Sequence, residues 1–438
     1  MLASLRRPPQ QIARRAAPLS LGLLVLLLSA CGGGGSNFTN HGTNGGSGNI
    51  GTSNNTFDGH LLFVKAGNIF ILNGKDDSLT QVTSDGNDYQ PSLSPDGKTL
   101  VFEVRKPGND YSDLAIMPLG GGTPTMLTDD SLHNKNDGPI PPHDHYQFWA
   151  ANPIWTADGQ NIIYLSDFFK GAATTPSYPN PTCTSNSEVD WILDMGIVEL
   201  PASARPVPGG QLNDRPKLLS WPYCYAGGDQ NLSLRPGTTD TEVLFTSFQY
   251  TGPQESLVAY LSVLEIPAGG GNSSVVQLSP PDPNALPMEP SWSPDGKYIT
   301  YIRRENGQDN LYIMPVDATI TGTPNQEVYG LEGNGKSTYY TNTTYYGESQ
   351  RLASGIIGNP VWGSNNTLFF MMFANGEFNL YMAKVKFTNP TPTATPKATP
   401  GTTPTASAPA GPIITLDGDP MQLTQGGVDG TTAPIWYH

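Results

Sequence analysis

The feature that most constrains this chain is a repeat. Pro290-Ser291-Trp292-Ser293-Pro294-Asp295-Gly296-Lys297 echoes Pro91-Ser92-Leu93-Ser94-Pro95-Asp96-Gly97-Lys98, and such recurrence marks an array of like units, none of which can bury its apolar face alone. Pro153-Ile154-Trp155-Thr156-Ala157-Asp158-Gly159 keeps the frame, Pro360-Val361-Trp362-Gly363-Ser364-Asn365-Asn366 keeps its first half, and Leu232-Ser233-Leu234-Arg235-Pro236-Gly237 is a degenerate copy. Each copy leads through Asp-Gly or Asn-rich hairpin chemistry into an apolar strand, at residues 100–104, 162–166, 243–247, 299–303 and 368–372. A third strand follows at 114–117, 196–199, 259–266, 311–314 and 380–382, and a short fourth at 126–128, 217–219, 276–278, 326–328 and 422–424.

The two ends of the array fit each other. Residues 61–65, 68–72 and 79–83 read as second, third and fourth strands without a first, and Ala433-Pro434-Ile435-Trp436-Tyr437-His438 reads as a first strand with nothing behind it. Two separate β domains would leave both fragments with unpaired edges. The expected fold is therefore all-β: a six-bladed β-propeller of four-stranded antiparallel blades over residues 60–438, closed by the C-terminal strand completing the first blade. The repeated Pro-x-Trp-Ser-Pro-Asp-Gly-Lys core resembles the TolB-like, or PD40-type (WD40-like), propeller repeat, over roughly residues 59–438. TolB proteins proper carry an α/β domain ahead of the propeller; here a tether stands in its place, so the resemblance implies the fold and not membership of a Tol complex.

Ahead of the array, residues 1–30 carry arginines, an apolar run and then small residues, the layout of a secretory signal peptide. Leu28-Ser29-Ala30-Cys31 resembles the lipobox of bacterial lipoproteins, which implies cleavage before Cys31 and lipidation of its sulfur. Residues 31–59, rich in Gly, Ser, Asn and Thr, are expected as a lipid-anchored tether. The implied location is the outer side of the cytoplasmic membrane or the cell envelope. There an oxidising compartment permits a disulfide between Cys183 and Cys224, two free thiols being the alternative. The formal charge is −15, and losing Arg6, Arg7, Arg14 and Arg15 makes it −19. Such a surface repels phosphate backbones, so nucleic acid is not an expected partner.

With the first strand lining the channel, the fourth-to-first and second-to-third connections share one face. The long segments 131–150, 167–190, 221–230, 248–256 and 331–358 all fall there. They bring Tyr146, Trp149, Tyr223, Tyr225, Tyr339 and Tyr340, with Asp229, to an aromatic rim expected to bind a ligand. Residues 388–412, rich in Pro, Thr and Ala, are an insertion between the third and fourth strands of the last blade, on the opposite face.

Little else points to chemistry. His133, His143 and His145, with Asp144, are the candidate metal ligands, though their spacing matches no stereotyped site. No Gly-x-Ser-x-Gly elbow and no phosphate loop in a strand-to-helix setting occur. Asp96 and Asp295 recur at one turn position, which suits local hydrogen bonding rather than paired acid catalysis, and Trp155, Trp292, Trp362 and Trp436 suit packing between blades. The expectation is a monomeric binding scaffold, not an enzyme, with no cofactor. Its partners would be an envelope protein, peptide or polysaccharide, and the membrane through its lipid. The alternative is a propeller enzyme, a saccharide lyase or cofactor-dependent dehydrogenase, using the loop of His133, His143 and His145.

Overall fold

The computed structural model describes residues 56–107, 111–129, 149–167, 195–206, 216–220, 228–251, 256–268, 273–279, 284–316, 323–329, 336–341, 349–389 and 412–438. These form six antiparallel blades. From channel to rim, blade 1 runs Ile435–Tyr437, His60–Lys65, Asn68–Asn73, Leu79–Gln81, and blade 2 runs Asp88–Leu93, Thr99–Arg105, Ser112–Pro118, Thr125–Met126. Blade 3 runs Ala150–Trp155, Asn161–Ser166, Gly196–Pro201, Lys217–Ser220, and blade 4 begins Asp229–Leu234, Thr241–Thr251, Ser256–Ile266, Ser274–Gln277. Blade 5 runs Ala285–Trp292, Tyr298–Glu305, Gln308–Pro315, Gln350–Ala353, and blade 6 runs Ile357–Trp362, Thr367–Ala374, Glu377–Thr388, with Ile413–Leu416 and Met421–Gln422 both on its third strand.

The second strands are buried on both faces because each blade is sandwiched between two others. Side chains alternate along a strand: Leu61 and Phe63 pack towards blade 6, while Leu62 and Val64 pack towards blade 2. Six apolar clusters result, one at each junction between successive blades. The repeated tryptophans stand in them. Trp155 Nε1 donates to the Ser92 carbonyl of the preceding blade at 3.4 Å, and Trp362 Nε1 to the Thr300 hydroxyl at 3.0 Å. Trp292 lies under the Arg235 guanidinium, 4.6 Å from its ring centre, and Arg235 is in turn fixed by Glu242 at 2.7 Å.

Closure is as the repeat requires: Leu61 pairs with Trp436 and Leu62 with Ile435. Trp436 Nε1 donates to the Asp58 carbonyl at 2.7 Å, the Asp429 N–H to the Val64 carbonyl at 2.8 Å, and the Lys65 ammonium to the Gly426 carbonyl at 2.5 Å. The Asp-Gly turns are built alike. Asp96, Asp158 and Asp295 each accept from the hydroxyl two residues back at 2.6 Å, and from the N–H two residues on at 3.0–3.2 Å. The following glycines take φ of 66–72°, which glycine adopts without steric cost.

Blade 5 departs from expectation. Its fourth strand is not 326–328 but Gln350–Ala353. Thr323–Tyr329 instead forms a hairpin with Lys336–Thr341, which adds in parallel to the outer strand of blade 4, making six strands there. The sequence between them carries Gly333-Asn334-Gly335, whose hairpin preference competes with propeller pairing. Gln350–Ala353 brings half-buried Leu352 and Ala353 to the cluster that contains Leu311.

Candidate functional site

The inner strands carry a girdle that the repeat conceals. Gln90, Asn152, Asn231, Glu289 and Asn359 occupy one equivalent position, and all are left-handed, with φ between 47° and 56°. Each coincides with a register shift in its strand, a β-bulge. A left-handed non-glycine residue costs about 1 kcal/mol, and at Gln90, Asn152, Glu289 and Asn359 the side chain reaches across to the segment that follows in the ring. The Gln90 carboxamide oxygen accepts from the Asn152 N–H, and that of Asn152 from the Leu232 N–H. Glu289 Oε2 accepts from the Asn359 N–H at 2.6 Å, and Asn359 Nδ2 donates to the Gly430 carbonyl at 2.9 Å. These contacts tie blade 2 to 3, blade 3 to 4, blade 5 to 6, and blade 6 to the segment that leads into the closing strand. Glu289 is the acid among amides. Burial pushes its carboxyl up to about 7, with Asp309 adding to the rise and the Asn359 N–H and Arg304 opposing it.

The connections sort into two faces. The upper face receives second-to-third and fourth-to-first connections; the lower face receives the others. On the upper face, blade 4 projects a hairpin of two 11-residue strands, where a loop at 248–256 was expected. The Trp149 N–H donates to Asp167 Oδ1 at 2.8 Å, tying together the roots of two long connections. Met195 bridges Gly228 in parallel, and the Asp229 N–H donates to the Met195 carbonyl at 2.8 Å. Asp229 is 1% exposed, and burial pushes its carboxyl up to about 7 against the hydroxyls of Ser247 and Ser220.

The expected site residues are only partly brought together. Trp149 is half-buried at the base of the upper face. The backbones of Tyr339 and Tyr340 pair with Val275 and Val276 on the outer edge of blade 4, in a third-to-fourth connection, so they leave the expected rim. The cause is the hairpin at 323–341. Cys31, His133, His143, His145, Tyr146, Cys183, Tyr223, Cys224 and Tyr225 lie outside the described residues, and among the described residues no cluster of three or more His, Cys, Asp or Glu is placed to hold a metal.

An apolar feature of the upper face went unpredicted. Ile356 is 45% exposed and Phe373 41%, and they are joined where the Phe373 N–H donates to the Ile356 carbonyl at 2.9 Å. Phe373 also packs on Phe378, ring centres 5.1 Å apart. Isolated exposed apolar residues are ordinary; adjoining ones at a loop-bearing face suit a contact surface. Ile356 lies at the end of the 331–358 segment expected on this face, and Phe373 near the end of the strand Thr367–Ala374, whose apolar run does not mark it as exposed. The girdle did leave a signal, an amide or acid directly before proline in Gln90-Pro91, Asn152-Pro153, Glu289-Pro290 and Asn359-Pro360, a position disfavoured for helical backbone.

The sequence matches no protein-family model and no curated protein. Among solved structures, TolB from Acinetobacter baumannii is similar at a TM-score of 0.44 and 13% identity, over 75% of this chain and 61% of that one. This chain thus spans less than two thirds of that protein. A putative TolB from Agrobacterium tumefaciens is similar at 0.40 and 12% identity, over 74% and 84% of the two chains, and an oligogalacturonate lyase in complex with manganese at 0.37 and 14%, over 72% and 82%. The six-bladed propeller stands on this chain's own strand pairing.

Proposed function

We propose that the chain is an envelope lipoprotein that works as a binding scaffold and not as an enzyme, holding a protein, peptide or envelope polymer on its upper face. The carrying observation is the exposed Ile356 and Phe373 pair, on the face that also receives the connections after blade 2, within blade 3 and between blades 3 and 4. Ring closure supports the reading, because it fixes these separate connections on one rigid base. The lipid anchor rests on the sequence around Cys31, and the negative charge favours a neutral or cationic partner surface.

The test is a photo-crosslinking residue at Phe373 in intact cells, compared with one at Lys98 on the lower face. A defined crosslinked species at 373, absent at 98 and lost with Ile356→Asp, is the expected result. Equal labelling at both positions sinks the assignment of the face. Tightly held stoichiometric metal in purified protein, lost in His143→Ala and His145→Ala, would instead favour the saccharide lyase or dehydrogenase class. Cys31→Ser should release the protein from the membrane fraction, and persistence there would overturn the anchor.

A further inference from the structure

Two departures from the blade repeat meet at one place on the lower face, away from the surface assigned above and independent of it. The turn from first to second strand contains Asp-Gly in blades 2, 3 and 5 but Asn365-Asn366 in blade 6, both left-handed with φ of 52° and 56° and both exposed. Glycine would take this backbone freely; two asparagines take it at a cost and present two carboxamides to solvent. The second departure is the third strand of blade 6. Glu377–Thr388 has 12 residues where those of blades 1, 2, 3 and 5 have 6 to 8, and its extra length pairs with Ile413–Leu416.

Between the turn and this extension lies a cleft of about 380 Å³, within the range of small ligand sites. Tyr298, Trp362 and Phe387 line it, with Asn365, Asn366 and Asn389. Tyr298 and Phe387 stand 4.9 Å apart, tilted by 45°. The wall is fixed from behind, since Gln350 Nε2 donates to the Pro412 carbonyl and its Oε1 accepts from the Ile414 N–H, each at 2.9 Å. A site held by its own scaffold loses less on binding.

The chemistry selects the occupant. Ring faces supply apolar contact, and three carboxamides each give and accept hydrogen bonds without charge. The neighbouring carboxylate, Asp295, is committed to Ser293 and the Lys297 N–H, with the Lys297 ammonium 3.7 Å away, so among the described residues the cleft offers no unengaged acid to a cation. The charge of −15 disfavours polyanions. A proline-rich peptide has few donors to match the amide oxygens. We propose that this cleft is a binding subsite for a neutral saccharide, its ring faces against Tyr298 and Phe387 and its hydroxyls on Asn365, Asn366 and Asn389.

The experiment is calorimetric titration of the full chain with cellohexaose, maltohexaose and chitotetraose, beside a polygalacturonate fragment and a proline-rich peptide. At least one neutral sugar should bind, and Asn365→Gly with Asn366→Gly should weaken it about tenfold or more. The same double variant should keep or raise Tm, because glycine relieves the left-handed backbone, which separates loss of binding from loss of fold. Tyr298→Ala should weaken binding as well. The proposal is overturned if none of the three neutral sugars binds at about 10 mM, if the double glycine variant binds unchanged, or if the anionic sugar or the peptide binds more tightly.

Discussion

Blade 1 and blade 4 are built on the same plan and spend their residues differently. Blade 1 is close to minimal, with strands of 3, 6, 6 and 3 residues drawn from both ends of the sequence. Blade 4 has two strands of 11 residues and a two-stranded addition donated by the connection within blade 5. Both nevertheless contribute to junction clusters of one kind, Leu61 and Phe63 towards blade 6, Leu244 and Leu261 towards blade 5. What holds the ring is the apolar contact between blades, and what varies is the outer edge and the tips of the hairpins. Elaboration costs the ring little there, since a long connection adds only slowly to closure entropy.

Removing each blade's distinctive part is the sharpest way to break that comparison. Deleting residues 433–438 takes the inner strand from blade 1, and Trp436 from the junction with blade 6. The loss should exceed about 4–5 kcal/mol, seen in urea unfolding as a lower midpoint and fast amide exchange across Leu61–Val64. Replacing residues 320–344 by a short linker should leave the midpoint nearly unchanged. Equal effects of the two deletions would end the distinction between junction and edge. Within the junctions, Trp362→Ala should cost about 3–5 kcal/mol, since the side chain is 5% exposed and its Nε1 is bonded to Thr300. Trp436→Ala, at a half-buried residue, should cost less; the reverse order would place the weight of the ring at its seam.

The division between junction and edge is also the division between what was legible in the sequence and what was not. The blades were legible because their second strands need apolar residues on both faces, and because Asp96, Asp158 and Asp295 do the same turn work in three places. Closure was legible because Ile435, Trp436 and Tyr437 had the pattern of an inner strand and no partner of their own. The fourth strand of blade 5 was not. Edge strands are short, bury one face at most and carry weak patterns, so 326–328 and Gln350–Ala353 compete on nearly equal terms. The girdle of Gln90, Asn152, Glu289 and Asn359 was written before each proline, but its meaning lies in backbone donors of the next blade, which no local pattern shows. The exposed pair of Ile356 and Phe373 is tertiary in the same sense.

The buried acids of the upper face extend the comparison to pH. Asp229 begins the inner strand of blade 4, and its Oδ2 finds no hydrogen-bond partner among the described residues. Burial raises its folded pKa to about 7, against about 3.9 in an unfolded chain. Between those values the folded state holds a proton that the unfolded state has released, so the part of stability that this group sets is greatest below about pH 4, falls as pH rises, and levels off above about 7. Asp88 in blade 2, also raised to about 7 by burial, acts in the same direction. The inner strand of blade 1, Ile435–Tyr437, carries no acid. Asp229→Asn should therefore flatten the decline between pH 5 and 8 and stabilise the protein at pH 8 by about 1–3 kcal/mol, less than the full linkage because water relaxes part of the burial penalty. The effect should vanish below about pH 3, where the acid is neutral in both states. Urea midpoints of the two proteins that run parallel across this range would show that the carboxylate keeps its charge, and with it that the mouth of the channel beside blade 4 is wet.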